Sequence, residues 1–131
     1  LLVSDLSGTW LGSYWQNGEQ VRFEFALIHS GNSISGNILD DCYLGEANIT
    51  GEVIGRQIQF SKRYVSVRQA SIEYGGTISE DGDSMSGNWS FAYKALAFHS
   101  VASGSWEAHR NGGNLSLELK NIASRLAGAR V

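Results

Sequence analysis

The sequence predicts an all-β protein, an eight-stranded antiparallel meander barrel with a C-terminal helix. Three observations predict this fold: apolar and polar residues alternate through most of the chain, tight-turn signals interrupt the alternation, and there are 16 glycines and no proline. Long strand ladders exclude proline, whereas sharply bent strands use glycine. At 131 residues we expect one domain, with the barrel over 1–112 and a helical tail over 113–131 packed on the barrel or on a partner subunit.

Turn signals divide the alternating region into hairpins. A two-residue loop fixes which residues of its flanking strands face each other, so each hairpin can be tested by asking whether apolar side chains share one side. The first turn places Trp10 opposite Phe25 and Tyr14 opposite Val21, and the other turns sort apolar residues equally well. The four turns are Asn17-Gly18, Gly31-Asn32, Gly55-Arg56 and Asp81-Gly82. The predicted strands are 7–16, 19–30, 33–39, 46–54, 57–64, 70–80, 83–93 and 99–110.

An apolar-Ser/Thr-Gly-X-apolar motif recurs on the same side of the predicted sheet. In every copy the glycine lies between two inward positions, so it also faces inward. Inward glycines let a strand coil sharply and leave room for a large neighbour, which is how a sheet closes into a small barrel. The clearest copies are at 6–10, 34–38, 49–53 and 85–89.

The segment Gly8-Thr9-Trp10 resembles the Gly-X-Trp signature of the calycin group, which comprises lipocalins, fatty-acid-binding proteins and avidins. In that group a basic residue late in the barrel packs over the tryptophan, and Arg110 at the end of predicted strand eight is placed to match it. The resemblance therefore implies structural roles for Gly8, Trp10 and Arg110. A helix after the barrel is also similar to lipocalins.

The chain departs from the named members of the calycin group in two ways. Its first connection, Asn17-Gly18, is a tight turn, where lipocalins have a long lid loop and fatty-acid-binding proteins a helical pair. The polar ring that avidins use for biotin has no identifiable counterpart. The chain most resembles bacterial lipocalin-like domains without an assigned ligand.

Meander topology assigns each connection to one end of the barrel. One end receives three tight turns, and the other receives the Asn17-Gly18 turn with longer connections near 40–45, 65–69 and 94–98. Because loops on a rigid scaffold often carry function, we expect the binding mouth at the second end. The residues expected to bind a ligand there are Tyr14, Lys62, Tyr64, Arg68, Phe91, Tyr93, Phe98 and His99.

Lys62 is the most informative residue of this group, because the alternation of its strand points it inward, opposite Ile49. A lysine directed into a barrel must reach solvent, a carboxylate or a ligand anion. We favour an ammonium that extends to solvent at the mouth. Pairing with Asp40, Asp41 or Glu46 is one alternative, and anchoring of an acidic ligand is another.

The predicted interior is crowded with aromatic side chains. An eight-stranded barrel is only wide enough to be filled by side chains or to hold one small ligand. We therefore expect a solid closed half and a shallow, aromatic pocket in the mouth half. The inward aromatic residues of this set are Trp10, Phe23, Phe25, Phe60, Tyr74, Trp89 and Trp106.

The sequence predicts no catalytic residue, no cofactor and no metal site. It contains no recognisable triad or paired carboxylates, and its three histidines share no metal-ligand spacing. A net charge of −3 without any basic run argues against nucleic acid, and no segment approaches the ~20 apolar residues that membrane insertion needs. The one cysteine slightly favours a cytoplasmic location, while a secreted or periplasmic one stays open.

The expected partner is a small hydrophobic or aromatic molecule bound at the open end. Two alternatives stay open. One is an interaction or structural protein with a filled barrel, motivated by Leu11 and Trp15 on the outer face. The other is a small enzyme, an isomerase, cyclase or hydrolase, with Lys62 or His99 as acid–base in the same pocket. A homodimer is also compatible with the sequence.

Overall fold

A computed structural model describes residues 5–95 and 98–111 of the chain, and only the backbone of 93–95 and 98–100. In this part of the protein, eight strands in chain order form one closed antiparallel barrel, which confirms the predicted meander. The predicted helical tail over 113–131, and the barrel boundary at 112, lie outside the described residues. The strands are β1 (Gly8–Gln16), β2 (Glu19–Ser30), β3 (Ser33–Asp40), β4 (Glu46–Ile54), β5 (Gln57–Tyr64), β6 (Ile72–Ile78), β7 (Ser84–Ala95) and β8 (Phe98–Arg110).

The pairing register of the strands agrees with the register derived from the turn signals. In the β1–β2 hairpin, Trp10 faces Phe25 and Tyr14 faces Val21. On β5, the inward Lys62 faces Ile49 of β4. The hairpins at Gly31-Asn32 and Gly55-Arg56, and the wider turn around Asp81-Gly82, have the expected partners too. Each turn therefore sets which side chains enter the interior.

The inward glycines allow neighbouring strands to approach where the barrel bends. A β-carbon on Gly36, whose φ is +152°, would lie 1.9 Å from the carbonyl oxygen of Ala26. A β-carbon on Gly87 would lie 1.8 Å from the carbonyl oxygen of Gly75. Since neither distance leaves room for a side chain, these positions require glycine for closure of the barrel.

Stacked aromatic rings fill the half of the barrel away from the mouth. Phe60 stacks on Tyr74 with ring centroids 4.8 Å apart, and Trp106 meets both rings edge-on at 5.7 Å. Phe25 lies 5.2 Å from Phe60 and continues the cluster across the interior. All four side chains are buried, so this half is solid, as the sequence predicts.

The closed end is held by Trp10 and Arg110, in the arrangement that the calycin resemblance implies. The Arg110 guanidinium lies over the Trp10 indole, 4.7 Å from the ring centroid. It also donates to the carbonyl oxygens of Asp5 at 3.0 Å, Gly82 at 3.1 Å and Ser7 at 3.3 Å. One side chain thus ties together the chain before β1, the β6–β7 turn and the end of β8.

The connections at the mouth differ from the prediction at one place. Residues 41–45 join β3 to β4 and residues 65–71 join β5 to β6, close to the expected bounds. The long connection predicted near 94–98 is wrong, because β7 continues to Ala95 and pairs there with Phe98, the first residue of β8. No glycine, proline or asparagine marks this hairpin in the sequence, so its tightness had no signal.

The outer face carries the apolar side chains expected on β1 and β2. Ile28 is 64% exposed, whereas Leu11 and Trp15 are half-buried. No helix among the described residues is long and apolar enough to cross a bilayer.

Candidate functional site

A pocket of about 150 Å³ opens at the mouth of the barrel, above the aromatic core. Most of its surface is apolar, and the described side chains that line it carry no charge. Its aromatic walls are Tyr14, Tyr64, Tyr74, Trp89 and Phe91. Leu44, Ile72 and Ala102 add aliphatic surface, and Gln16 and Gln69 add amide groups.

Strand alternation and the mouth loops together position this lining. Tyr14 on β1, Tyr64 on β5 and Phe91 on β7 project inward near the strand ends at the mouth. Leu44 belongs to the short β3–β4 loop, which is fixed because the Asp40 N–H donates to the Gly45 carbonyl at 2.9 Å. The pocket is therefore built mainly on strands, which hold side chains more firmly than loops do.

Asp40 and Lys62 form an ion pair next to the pocket. The Lys62 ammonium donates to Oδ2 of Asp40 at 2.6 Å, and both side chains are fully enclosed. Asp40 ends β3 and Lys62 lies on β5, so the pair spans the intervening strand β4. An enclosed ion pair of this kind needs further hydrogen bonds to offset the loss of hydration.

Tyrosine hydroxyls supply some of those hydrogen bonds. The Tyr64 hydroxyl makes a short hydrogen bond to Oδ2 of Asp40, and the Tyr14 hydroxyl approaches the same atom at 3.5 Å. The Lys62 ammonium also donates to the Tyr74 hydroxyl oxygen at 3.3 Å. All of these contacts to Asp40 converge on Oδ2, and its other oxygen, Oδ1, has no partner among the described residues.

The same three tyrosines surround the ammonium with their rings. Nζ of Lys62 lies 4.7 Å from the ring centroid of Tyr14, 4.8 Å from that of Tyr64 and 5.5 Å from that of Tyr74. A cation over aromatic faces is stabilised by the negative potential of the rings, most strongly where water is excluded. The cage and Asp40 together replace the hydration that burial removes from Lys62.

Burial and charge shift the pKa values of this cluster. Desolvation lowers the pKa of Lys62, and the adjacent carboxylate of Asp40 opposes that shift. Desolvation, followed by the negative charge of Asp40, raises the pKa of the Tyr14, Tyr64 and Tyr74 hydroxyls above the ordinary value of 10.0. The three phenols therefore stay protonated at neutral pH and act as hydrogen-bond donors or acceptors.

The favoured interpretation of Lys62, that it extends to solvent, is wrong, and its pairing with Asp40 is the alternative that the structure shows. Tyr64 is the next inward residue of β5 toward the mouth, and its ring lies across the route that the ammonium would follow. Asp40 extends β3 by one residue beyond the predicted end at 39, which turns its side chain inward. Asp41 and Glu46 remain exposed.

The structure brings together only part of the residue set predicted for ligand binding. Tyr14, Tyr64 and Phe91 line the pocket, and Lys62 lies behind it. Arg68 is exposed and does not line the pocket. The side chains of Tyr93, Phe98 and His99 fall outside the described part of the protein, whose backbone places them on β7 and β8 near the mouth.

Sequence reasoning missed several residues of the lining. Ile72 and Ala102 follow from strand alternation, since they face Lys62 and Phe91 across their pairs. Tyr74 and Trp89 were assigned to the solid core, although both also border the pocket. Gln69 comes from an irregular loop, for which the sequence pattern offers no signal. No group of three or more metal-ligating side chains occurs among the described residues.

Comparisons with known proteins identify the fold and no family. No model of a known protein family matches the chain, and no curated protein matches it either. Among solved structures, the chain is similar to the intact apo form of afifavidin, with a TM-score of 0.59 and 16% sequence identity. The similarity covers 82% of this chain and 83% of that one. At this identity the likeness supports an avidin-like eight-stranded barrel and says nothing of a shared ligand.

Proposed function

We propose that this protein binds one small, largely apolar, ring-sized molecule in the pocket at the mouth of the barrel. The observation that carries the proposal is the contrast between the two halves of the interior. One half is filled by stacked rings, whereas the other retains about 150 Å³ bounded by Tyr14, Tyr64, Tyr74 and Trp89. An apolar cavity of similar volume in another protein takes up benzene, so one six-membered ring is the matching size.

The geometry also limits what the pocket accepts. Drug-sized sites usually enclose roughly 300–1,000 Å³, and the stacked rings of Phe60 and Tyr74 block any extension along the barrel axis. A long acyl chain therefore has no place to lie. Aromatic walls favour a flat ligand, because offset-stacked and edge-to-face ring pairs add to the energy of burial.

An enzymatic role for Lys62 receives less support from this geometry. Its ammonium is neutralised by Asp40 and enclosed by tyrosine rings, and it does not line the pocket. A general acid or base must reach the transferred proton directly or through one water. The proposed function therefore uses Lys62 to support the pocket and not to move protons.

The test is a binding measurement with probes of graded size. We expect phenol and toluene to bind saturably to the wild-type protein in calorimetric titrations and saturation-transfer NMR, and palmitate neither to bind the pocket nor to displace them. Ala102→Leu adds a side chain inside the pocket and is expected to abolish binding. Ala26→Leu adds the same atoms on the exposed outer face of β2 and serves as the matched control.

Two results would refute the proposal. One is the failure of every single-ring probe to bind at millimolar concentration. The other is unchanged binding to Ala102→Leu, provided that thermal unfolding shows this variant to be folded. Either result would mean that the space beneath the mouth is not used for a ligand.

A further inference from the structure

The pocket has no positive charge available for an acidic ligand. Lys62 is the inward cation nearest to it, and its ammonium is already paired with Oδ2 of Asp40 at 2.6 Å. Arg68, the cation expected at the mouth, is exposed outside the lining. Enclosing a carboxylate without a partner cation is strongly unfavourable, so the geometry argues against the acidic ligand considered from the sequence.

One acceptor in the cluster is unused. Asp40 is only 1% exposed, and its Oδ1 receives no hydrogen bond from the described residues, although Oδ2 receives several. A buried acceptor on a charged group without a donor is costly, and such atoms are commonly satisfied by a water or a ligand. Oδ1 therefore indicates what kind of group the site lacks.

The unused acceptor lies close to the pocket. Tyr14 and Tyr64 contact the Asp40 carboxylate with their hydroxyls and also form the pocket wall. Leu44, in the loop that follows Asp40, lines the pocket from the same side. The carboxylate is thus separated from the pocket by no more than one layer of side chains, which is within reach of a polar substituent on a bound ring.

We propose that the pocket selects a neutral, single-ring molecule carrying an O–H or N–H donor, and that this donor binds Oδ1 of Asp40. The inference rests on the proposed function, since it names the ligand class of the same site. A cationic ligand is disfavoured because it would place a second positive charge beside the Lys62 ammonium. Phenols and small aromatic N–H compounds are the matching chemistry.

The experiment compares the affinities of five probes of nearly equal size by calorimetric titration at pH 7: phenol, anisole, toluene, benzoate and benzylammonium. Phenol is expected to bind about tenfold more tightly than anisole or toluene, the factor expected for a hydrogen bond to a charged group. Anisole has the same ring oxygen without the proton, so it isolates the donor. Benzoate and benzylammonium are expected not to bind.

Variants separate the role of Asp40 from general packing. The double variant Asp40→Leu/Lys62→Met removes the acceptor and its partner charge with little change of volume. It should bind toluene normally and lose the tenfold preference for phenol. Asp41→Asn, which neutralises an exposed carboxylate in the same loop, is the matched control and should keep the preference.

A crystal structure of the wild-type phenol complex gives a test that does not depend on folding of the variants. A phenol oxygen within hydrogen-bond distance of Oδ1 supports the inference, whereas a water on Oδ1 with the phenol elsewhere overturns it. Equal affinities for phenol, anisole and toluene would overturn the selectivity while leaving the proposed function intact. Absence of binding by all probes would overturn both.

Discussion

The ammonium of Lys62 and the carboxylate of Asp40 meet 2.6 Å apart at a point where neither side chain touches solvent. The pair joins β3 to β5 across β4, and the tyrosine cage completes its surroundings. Removing one member of an enclosed pair leaves an unpaired charge, whereas removing both is often tolerated. Asp40 and Lys62 therefore behave as one unit, and the stability of the mouth half depends on keeping them matched.

Lys62→Met should lower the free energy of unfolding by about 3–5 kcal/mol, because it leaves the Asp40 carboxylate enclosed without its counter-charge. Urea denaturation followed by tryptophan fluorescence measures this loss. The double variant Asp40→Leu/Lys62→Met should recover most of the stability. A double variant as unstable as the sum of its two single variants would contradict the coupling.

Alkaline pH should destabilise the protein through the caged phenols. The pKa values of Tyr14, Tyr64 and Tyr74 are raised in the folded state, so above pH 10 the unfolded chain loses protons that the folded chain retains. Stability is then present below the ordinary value of 10.0 and is lost as the pH rises beyond it. Lys62, with a lowered pKa, acts in the opposite sense only up to its ordinary value of 10.5.

Phenolate absorbance at 295 nm measures this effect directly. We expect a late, cooperative rise that coincides with loss of the near-ultraviolet circular dichroism signal. Tyr64→Phe should reduce the size of that rise. Independent ionisation of all five tyrosines near pH 10, before any unfolding, would show that the cage is open to solvent.

Arg110→Ala should destabilise the protein by about 2–4 kcal/mol, because it removes the contact with the Trp10 indole and hydrogen bonds to three backbone carbonyls. Arg110→Lys should recover less than half of this, since an ammonium lacks the planar fork that reaches several acceptors at once. Guanidinium denaturation gives both values. Full recovery by lysine would mean that charge alone matters there.

Gly87→Ala and Gly75→Ala form a matched pair on neighbouring strands. The first places a β-carbon 1.8 Å from the carbonyl oxygen of Gly75, so the backbone must move, at a cost of about 1–3 kcal/mol or more. The second meets nothing closer than 4.0 Å, the Cγ atom of Gln59, and should change stability by less than about 1 kcal/mol. Thermal unfolding of both variants tests the difference, and similar values would refute the role assigned to Gly87.

Local rules predicted the barrel because each hairpin carried its own information. The turn at Asn17-Gly18 set the β1–β2 register, and the inward position of Gly87 between Met85 and Trp89 indicated closure. The β7–β8 hairpin was mispredicted because no turn residue marks it. Alternation of side chains was sufficient wherever the chain is regular.

The candidate site was less predictable because it depends on contacts between distant strands. Alternation placed Lys62 inside the barrel, but the choice between solvent and Asp40 depended on where β3 ends and on how the Tyr64 ring lies. Both are tertiary features, separated by 22 residues along the chain in the case of the ion pair. Sequence therefore supplied the participants, and packing decided their partners.

Closure of the barrel also affects how the protein meets other chains. Every strand of the described barrel has a neighbour on each side, so its sheet offers no free row of backbone N–H and C=O groups to a foreign strand. The β1–β8 seam is the short one, with pairing only from Trp10 to Tyr14 of β1. Fibril growth or strand exchange would have to begin by parting that seam, and Trp10, clamped beneath Arg110, lies at one end of it.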